Sequence, residues 1–149
     1  MPYRTLDKPT TLTDARGNFI LTNLPVGLVQ IWTQSTNYFQ TNIFALHPAP
    51  GDAVSLQVRR SGSLRVLVRD ANDAPLTRWQ DQTIQISIAP EGGSVPGSWG
   101  GSANIESDGT CFFAGAHPGT YIVSILSTPK KVAIAIEPGR TTEARITLP

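Results

Sequence analysis

The chain has 149 residues, enough for one domain or two small ones, and its 40% hydrophobic content allows a packed core. Twelve basic and eleven acidic side chains leave a net charge of +1, which argues against nucleic acid or an anionic membrane as a partner, since either would need a clustered basic face. No apolar run approaches the roughly 20 residues of a membrane-spanning helix, so we expect no membrane insertion.

The first predicted elements are two short strands joined by a tight turn. Phe19 and Leu21 precede a proline–glycine turn at residues 25–27, and Val29 and Ile31 follow it. Apolar residues at every second position indicate strands with one buried face. The 13 glycines and 12 prolines separate such short runs along the whole chain, which is typical of an all-β fold.

A second proline–glycine turn follows, at residues 49–51, and leads into a segment that alternates at Val54, Leu56 and Val58. The residues before Gly17 show no comparable alternation. This part of the chain therefore provides strands and turns but no leading pair of alternating strands.

The strongest strand patterns come next. Residues 64–68 and residues 84–88 each carry three apolar side chains on one face. Two further alternating strands surround the turn at residues 116–119, and a last strand precedes the end of the sequence. We expect the core of this region to consist of Leu64, Val66, Val68, Ile84, Ile86, Ile88, Phe113, Tyr121, Val123, Ile134, Ile136 and Ile146.

The two regions are copies of one repeat. Residues 14–31 align with residues 106–123 without a gap at an offset of 92, and the turn at residues 49–51 matches that at residues 137–139 at an offset of 88. A fixed internal offset indicates a repeated supersecondary unit. We predict a complete β-sandwich at residues 62–149 and a partial unit at residues 1–61 that lacks about two leading strands.

These motifs resemble the carboxypeptidase regulatory-like family of β-sandwich domains, which is also described as transthyretin-like or Cna-B-like. Residues 62–76 are similar to the opening of the family pattern, with Asp73 where glycine is usual. Both copies of the repeat are similar to its second half, with Cys111 for the usual phenylalanine and His117 for the usual proline. The resemblance implies an all-β, antiparallel Greek-key sandwich and says little about function.

No catalytic or cofactor-binding residues are indicated. The two histidines, His47 and His117, each precede a proline, and no His-Glu-x-x-His zinc motif occurs. The chain also lacks the Tyr-Arg-Gly-Ser ending of the transthyretin-like hydroxyisourate hydrolases. We therefore expect no enzyme, no metal and no cofactor.

Two smaller features have structural interpretations. The single cysteine, Cys111, excludes an internal disulfide and is expected on the inward face of its strand, as a buried thiol. Asp70, Asn72 and Asp73 form an oxygen-rich turn, which suits either calcium or hydrogen bonds to the turn's own backbone.

Aromatic residues are the best ligand candidates. Trp99 lies in a glycine-rich loop, Trp79 lies in another loop, and Trp32 and Tyr38 lie in the first copy. Loop tryptophans stack on sugar rings or anchor protein partners, and they also fold back over the edge of a sheet. Both outcomes are open for Trp99.

We expect a non-catalytic structural or adhesive module of an extracellular or cell-surface protein. The sequence begins with no signal-peptide h-region, and we interpret it as a fragment of a longer secreted chain. Because a half-unit exposes apolar residues, we predict a protein partner, with homo-oligomers formed through Phe19, Leu21, Val29 and Ile31. The alternative is a carbohydrate-binding module that uses the four aromatic residues.

Overall fold

The computed structural model describes residues 8–42, 44–95 and 98–149, and strands are the only regular secondary structure in these ranges. In this part of the chain, no helix is long and apolar enough to cross a membrane. The strands are β1 (Val29–Ile31), β2 (Tyr38–Gln40), β3 (Phe44–Leu46), β4 (Val58–Arg60), β5 (Gly62–Arg69), β6 (Arg78–Trp79), β7 (Gln82–Thr83), β8 (Gln85–Pro90), β9 (Gly101–Asn104), β10 (Thr110–Ala116), β11 (Gly119–Ile125), β12 (Lys131–Ile136) and β13 (Thr141–Thr147).

The chain divides into two compact units. The N-terminal unit comprises the described residues of Met1–Trp32 and Asn42–Leu56, and the C-terminal unit comprises those of Thr33–Thr41 and Gln57–Pro149. The C-terminal unit therefore begins before residue 62, where the repeat placed the start of the complete sandwich. Residues 1–7, which the sequence assigned to the partial unit, lie outside the described residues.

The C-terminal unit contains a β-sandwich, as the sequence predicted. One sheet has the order β10-β5-β13, and the other has the order β12-β11-β8-β9. Consecutive strands such as β9 and β10 lie in different sheets, as in Greek-key connections. Every strand pair of these two sheets is antiparallel except β13 with β5, which run parallel from Thr141 opposite Ser63 to Thr147 opposite Arg69.

Side chains from both sheets form one buried core. In β5, the alternation of apolar residues places Leu64, Val66 and Val68 at 0% exposure, and the strand's other face is more open. Burying each such side chain contributes about 1.5–3 kcal/mol to folding. The other buried apolar residues are Ile84, Ile86, Ile88, Ile105, Cys111, Ala116, Tyr121, Val123, Ile125, Ile136, Ala144, Ile146 and Leu148.

Two predicted core residues are only half-buried. Phe113 precedes a register shift between β10 and β5, so its side chain packs at the margin of the core. Ile134 lies on β12, which is an edge strand of its sheet and has less cover. Both residues pack against the core cluster with partial exposure, while the remaining ten predicted core residues are buried.

The segment before β5 is held to the same unit. β2 pairs with β4, and the hydroxyl of Ser61 donates a hydrogen bond of 2.6 Å to the carbonyl oxygen of Thr36. The Ser61 N–H donates to the carbonyl oxygen of Asn37 over 2.8 Å. These bonds explain why residues 33–41 and 57–61 belong to the C-terminal unit.

Both units share the turn that opens the repeat. The Asp14 N–H donates to the Asn18 carbonyl over 2.8 Å, and the Glu106 N–H donates to the Thr110 carbonyl over 2.7 Å. Within each turn, the glycine N–H donates back over 3.0 Å, from Gly17 to Asp14 and from Gly109 to Glu106. Both glycines have positive φ angles, 82° and 71°, a conformation that other residues adopt only with strain.

Both units also share a hairpin register. In the N-terminal unit Val29 pairs with Leu46 and Ile31 pairs with Phe44. In the C-terminal unit Tyr121 pairs with Ile134 and Val123 pairs with Val132. The offsets are 92 for the first strand and 88 for the second, so β1 and β3 correspond position by position to parts of β11 and β12.

Candidate interaction surface of the N-terminal unit

The predicted self-association residues lie in a unit with little burial. Phe19, Leu21, Val29 and Ile31 are all half-buried, and each lies between exposed neighbours. Among the described residues from 8 to 60, none is fully buried. The N-terminal unit thus has the alternating pattern of a β-sandwich half without a closed core.

Large apolar side chains of this unit are exposed as well. Leu12, Ile20, Val26 and Leu28 are each at least two-thirds exposed. Contiguous apolar patches beyond a few hundred Å² are rare on monomeric soluble proteins and mark interaction sites. This unit is therefore the candidate interaction surface.

Residues 18–24 and 53–56 form no strand in the described structure, although both alternate in sequence. Their counterparts in the C-terminal unit are β10 and the first part of β13, which both pair with β5. Among the described residues of the N-terminal unit, the only strand pair is β1 with β3. Strand geometry needs a hydrogen-bonded neighbour, and the described residues of this unit include no counterpart of β5.

An open cavity of about 430 Å³ adjoins one of these segments. Its walls are residues 20–23 on one side of the sequence and residues 9–11 on the other. The side chains that line it include Ile20 and Leu21, so part of the cavity wall is apolar.

The structure places the four candidate aromatic residues in different settings. Trp99 is half-buried and packs edge-on against Tyr121 and Phe113, with ring centroids 5.3 Å and 6.1 Å away. Trp79, on the short strand β6, also packs partly against the core. Trp99 thus has the folded-back arrangement that the sequence left open.

The other two aromatic residues are more open to solvent. Trp32 is 60% exposed in the N-terminal unit, and the ammonium group of Lys8 lies 5.3 Å from the centre of its ring. Tyr38 is 47% exposed and belongs to β2 of the C-terminal unit. Of the four candidate rings, Trp32 and Tyr38 are the two exposed ones, and each belongs to its own unit.

Burial shifts the pKa values of two titratable side chains, His117 and Cys111. Burial lowers the pKa of His117, whose ring stacks on Phe39 and whose carbonyl oxygen accepts a 2.8 Å hydrogen bond from the Tyr121 hydroxyl. Cys111 is buried as predicted, and burial raises the pKa of its thiol to about 11. In the described ranges, no group of three His, Cys, Asp or Glu side chains could hold a metal ion.

The carboxylates of the oxygen-rich turn at residues 70–73 both have partners within the chain. Asp70 accepts hydrogen bonds from the N–H groups of Asn72 and Ala74, at 2.8 Å and 2.9 Å. Asp73 forms an ion pair with Arg145. Of the two interpretations that the sequence allowed, the geometry favours hydrogen bonds to the turn's own backbone for Asp70, while Asp73 pairs with Arg145 of β13.

The chain has only low similarity to known proteins. No protein-family model matches the chain, and no curated protein matches it. Among solved structures, it is similar to the TIE protein of Bacillus anthracis, with 11% identity and a TM-score of 0.47 over 74% of this chain. It is similar to the minor pilin of Streptococcus agalactiae, with 15% identity and a TM-score of 0.43 over 85% of this chain.

A third similar structure is BcpA, the major pilin subunit of Bacillus cereus, with 10% identity and a TM-score of 0.47 over 84% of this chain. All three proteins are longer than this one. The chain spans 24% of the first, 61% of the second and 40% of the third.

Proposed function

We propose that this chain is a non-catalytic structural module of the carboxypeptidase regulatory-like or Cna-B-like type, which acts by protein–protein contact through its N-terminal unit. The observation that carries the proposal is the contrast between the two units. They share turns and hairpin register, yet among the residues that the structure describes only those of the C-terminal unit include fully buried ones.

The energetics of burial support a partner for the N-terminal unit. Full burial of a Leu, Ile or Phe side chain contributes about 1.5–3 kcal/mol of favourable free energy, and a half-buried side chain contributes only part of this amount. Phe19, Leu21, Val29 and Ile31 are half-buried within the unit. Contact with another protein surface would bury the rest of these side chains. Such burial of apolar surface is the driving force of most protein associations.

The setting that fits such a module is a secreted or cell-surface protein, of which this sequence is one part. The support is the resemblance of the repeat motifs to the domain family named above. The turn geometry at Gly17 and Gly109 agrees with that motif, since both glycines have the positive φ that it needs.

Homo-oligomerisation through the N-terminal unit is the specific form that we propose. Two copies would cover each other's half-buried apolar residues in a symmetric contact. Leu21→Asp should weaken the association at least about tenfold, because a carboxylate would have to be buried without a partner. Analytical ultracentrifugation at several concentrations measures the effect.

A matched control is Gln30→Asp, at an exposed polar position between Val29 and Ile31 in the same unit. This variant should associate like the parent chain. Near-UV circular dichroism should show that both variants keep the C-terminal sandwich. A parent chain that stays monomeric at all concentrations would contradict homo-oligomerisation.

Carbohydrate binding is the second candidate function, and the exposure of Trp32 and Tyr38 favours it. Exposed aromatic rings stack on the apolar faces of sugars. A glycan array should then show binding that Trp32→Ala or Tyr38→Ala abolishes. Absence of binding to any sugar would remove this candidate and leave the first proposal intact.

A further inference from the structure

An open cavity of about 240 Å³ lies in the C-terminal unit, where β2 and β4 meet the turn at residues 137–140. Residues 36–38, residues 60–63 and Gly139 line it. The Gly139 N–H donates to the Ser61 carbonyl oxygen, and the Ser61 N–H donates to the Asn37 carbonyl oxygen, both over 2.8 Å. These backbone bonds hold the three lining segments in fixed positions.

The pairing of β2 with β4 sets which side chains face the cavity. Tyr38 lies opposite Arg60, and Phe39 lies opposite Arg59. Directly opposed residues of an antiparallel pair project from the same face, and successive residues alternate between faces. Tyr38 and Arg60 therefore share the face that lines the cavity. Phe39 projects from the other face, where it stacks on His117.

The guanidinium group of Arg60 lies beside Gly139. A Cβ added at Gly139 would be 3.2 Å from the Cδ, Nε and Cζ atoms of Arg60, so the missing side chain leaves room for this group. Arg60 is the one charged residue among those that line the cavity, and no ion pair to it occurs in the described ranges. The nearby Glu137 carboxylate pairs with Arg140 at 2.8 Å. The cavity thus carries a positive charge that no carboxylate of the described residues pairs with.

Hydroxyl groups and an aromatic ring accompany this charge. The Ser61 hydroxyl donates to the Thr36 carbonyl oxygen over 2.6 Å, and the hydroxyl oxygens of Ser63 and Thr141 are 3.2 Å apart. A serine oxygen has two acceptor lone pairs, so both serines keep capacity for a further hydrogen bond. Tyr38 is 47% exposed. The cavity therefore combines a cation, hydroxyl groups and an accessible ring.

We propose that this cavity binds an acidic sugar of the hexuronic acid class, with the carboxylate on Arg60 and the sugar ring on Tyr38. Guanidinium groups bind carboxylates through two parallel hydrogen bonds, and aromatic rings stack on the apolar faces of sugars. This inference rests on the second candidate function, carbohydrate binding, because it specifies the class of sugar and its place. Pockets for drug-sized ligands measure about 300–1,000 Å³. A cavity of about 240 Å³ suits a single sugar residue.

The position of Tyr38 beside Arg60 favours a sugar over other carboxylates. Cross-strand neighbours have Cβ atoms about 4.5–5.5 Å apart, so the ring and the guanidinium group are within reach of one small ligand. A hexuronic acid carries its carboxylate on the carbon next to the ring oxygen, and the C–H groups of its ring form an apolar face beside that carboxylate. A simple carboxylate or an inorganic anion would use Arg60 alone.

The test is an NMR titration of the whole chain with methyl glucuronide and with methyl glucoside, its neutral counterpart. The glucuronide should bind at least about tenfold more tightly, because the charge-assisted hydrogen bonds to Arg60 require its carboxylate. Amide signals of residues 36–38, 60–63 and 139 should shift on binding. These are the residues that line the cavity.

Substitutions assign the two contacts. Arg60→Gln should weaken glucuronide binding at least about tenfold and leave glucoside binding unchanged. The matched control is Arg59→Gln, which removes the same charge from the opposite face of the strand and should bind like the parent chain. Arg60→Lys should restore only part of the affinity, because an ammonium group lacks the planar fork. Tyr38→Ala should weaken the binding of both sugars by a similar factor, since the ring contact does not depend on charge.

N-acetylglycine and sulfate distinguish a sugar site from a general anion site. Both should bind at least about tenfold more weakly than the glucuronide, because neither offers an apolar face to Tyr38. Equal binding of either one would overturn the inference. Absence of glucuronide binding, or equal effects of Arg59→Gln and Arg60→Gln, would do the same.

The outcomes also separate this inference from the proposed functions. Equal affinities for the two sugars would overturn the acidic class and leave carbohydrate binding in place. A glycan array without any bound sugar would remove both. Ultracentrifugation of the parent chain and of Leu21→Asp reports independently on the protein contact.

Discussion

The imidazole ring of His117 stacks on the phenyl ring of Phe39, with ring centroids 4.0 Å apart and planes inclined by 24°. Phe39 belongs to β2, and His117 lies in the turn between β10 and β11. The stack therefore holds the segment before β5 against the turn between β10 and β11.

This stack predicts a dependence of stability on pH. Burial lowers the pKa of His117 in the folded chain from its ordinary value of 6.5, whereas the unfolded chain protonates near that value. The unfolding free energy should thus be highest above pH 6.5 and should decrease as the pH falls below it. His117→Phe, which keeps an aromatic ring, should reduce this slope, and His47→Gln is the control that should retain it.

Denaturant unfolding at a series of pH values between about 5 and 8, the range in which histidine titrates, gives the measurement. A slope that is the same with and without His117 would show that another group is responsible.

Cys111 should be unreactive in the native chain. Its side chain is 2% exposed, and its pKa of about 11 leaves little of the thiolate that reacts with disulfide reagents. A bulky aromatic disulfide should label it only as fast as the sandwich opens. Labelling of the native chain at the rate of the unfolded chain would disprove this prediction.

The two faces of β10 should tolerate charge very differently. Cys111→Asp should lower the unfolding free energy by more than about 3 kcal/mol, because it buries an unpaired carboxylate. Phe112→Asp changes the adjacent residue, whose side chain is 56% exposed on the opposite face, and it should cost less than about 1 kcal/mol. Urea unfolding of both variants provides the comparison, and equal costs would contradict the assigned faces.

Trp99 should contribute to stability through its ring contacts. Trp99→Ala removes edge-on contacts with Phe113 and Tyr121, and we expect a loss of about 2 kcal/mol because the ring is only half-buried. Val95→Ala in the same loop, at a 66% exposed position, should change the unfolding free energy by less than about 0.5 kcal/mol. A Trp99→Ala chain as stable as the parent would contradict this packing role and would make Trp99 a candidate for ligand binding again.

Gly62 should resist even the smallest substitution. A Cβ there would lie 2.4 Å from the Glu137 carbonyl oxygen and 2.6 Å from a methyl carbon of Ile136. Gly62→Ala should therefore destabilise the chain by about 1–3 kcal/mol, as other overpacked sites do. Gly101→Ala, where no atom lies within 4 Å of the added carbon, is the control and should have little effect on the melting temperature.

Much of the C-terminal sandwich was predictable from alternation alone. The faces of β5 and β8 follow directly from residues such as Leu64 and Ile86, both at 0% exposure. Near the end of the chain, Ala144 and Leu148 alternate with the predicted core residue Ile146, and all three are buried. The parallel pairing of β13 with β5 is a property of topology, which the local pattern does not contain.

The first copy shows the limit of the same reasoning. The pattern at Phe19 and Leu21 predicts a strand, but the described structure has none there. A strand needs a neighbour as well as a pattern, and the pattern in sequence gives no information on whether one is present. The turns at Gly17 and Gly51 depend on local bonds only, and both form.

The parallel pair of β5 and β13 determines how the sandwich responds to mechanical force. Residue 62 and residue 147 lie at opposite ends of this pair, since Ser63 is opposite Thr141 and Arg69 is opposite Thr147. Tension between those two points acts along the strands and loads all of their hydrogen bonds at once. Tension between Gly119 and Ile136, which are opposite each other at one end of the β11–β12 hairpin, would instead open its bonds one after another. Single-molecule pulling should therefore find a higher rupture force for the first geometry than for the second, and equal forces would show that this strand pair does not bear the load.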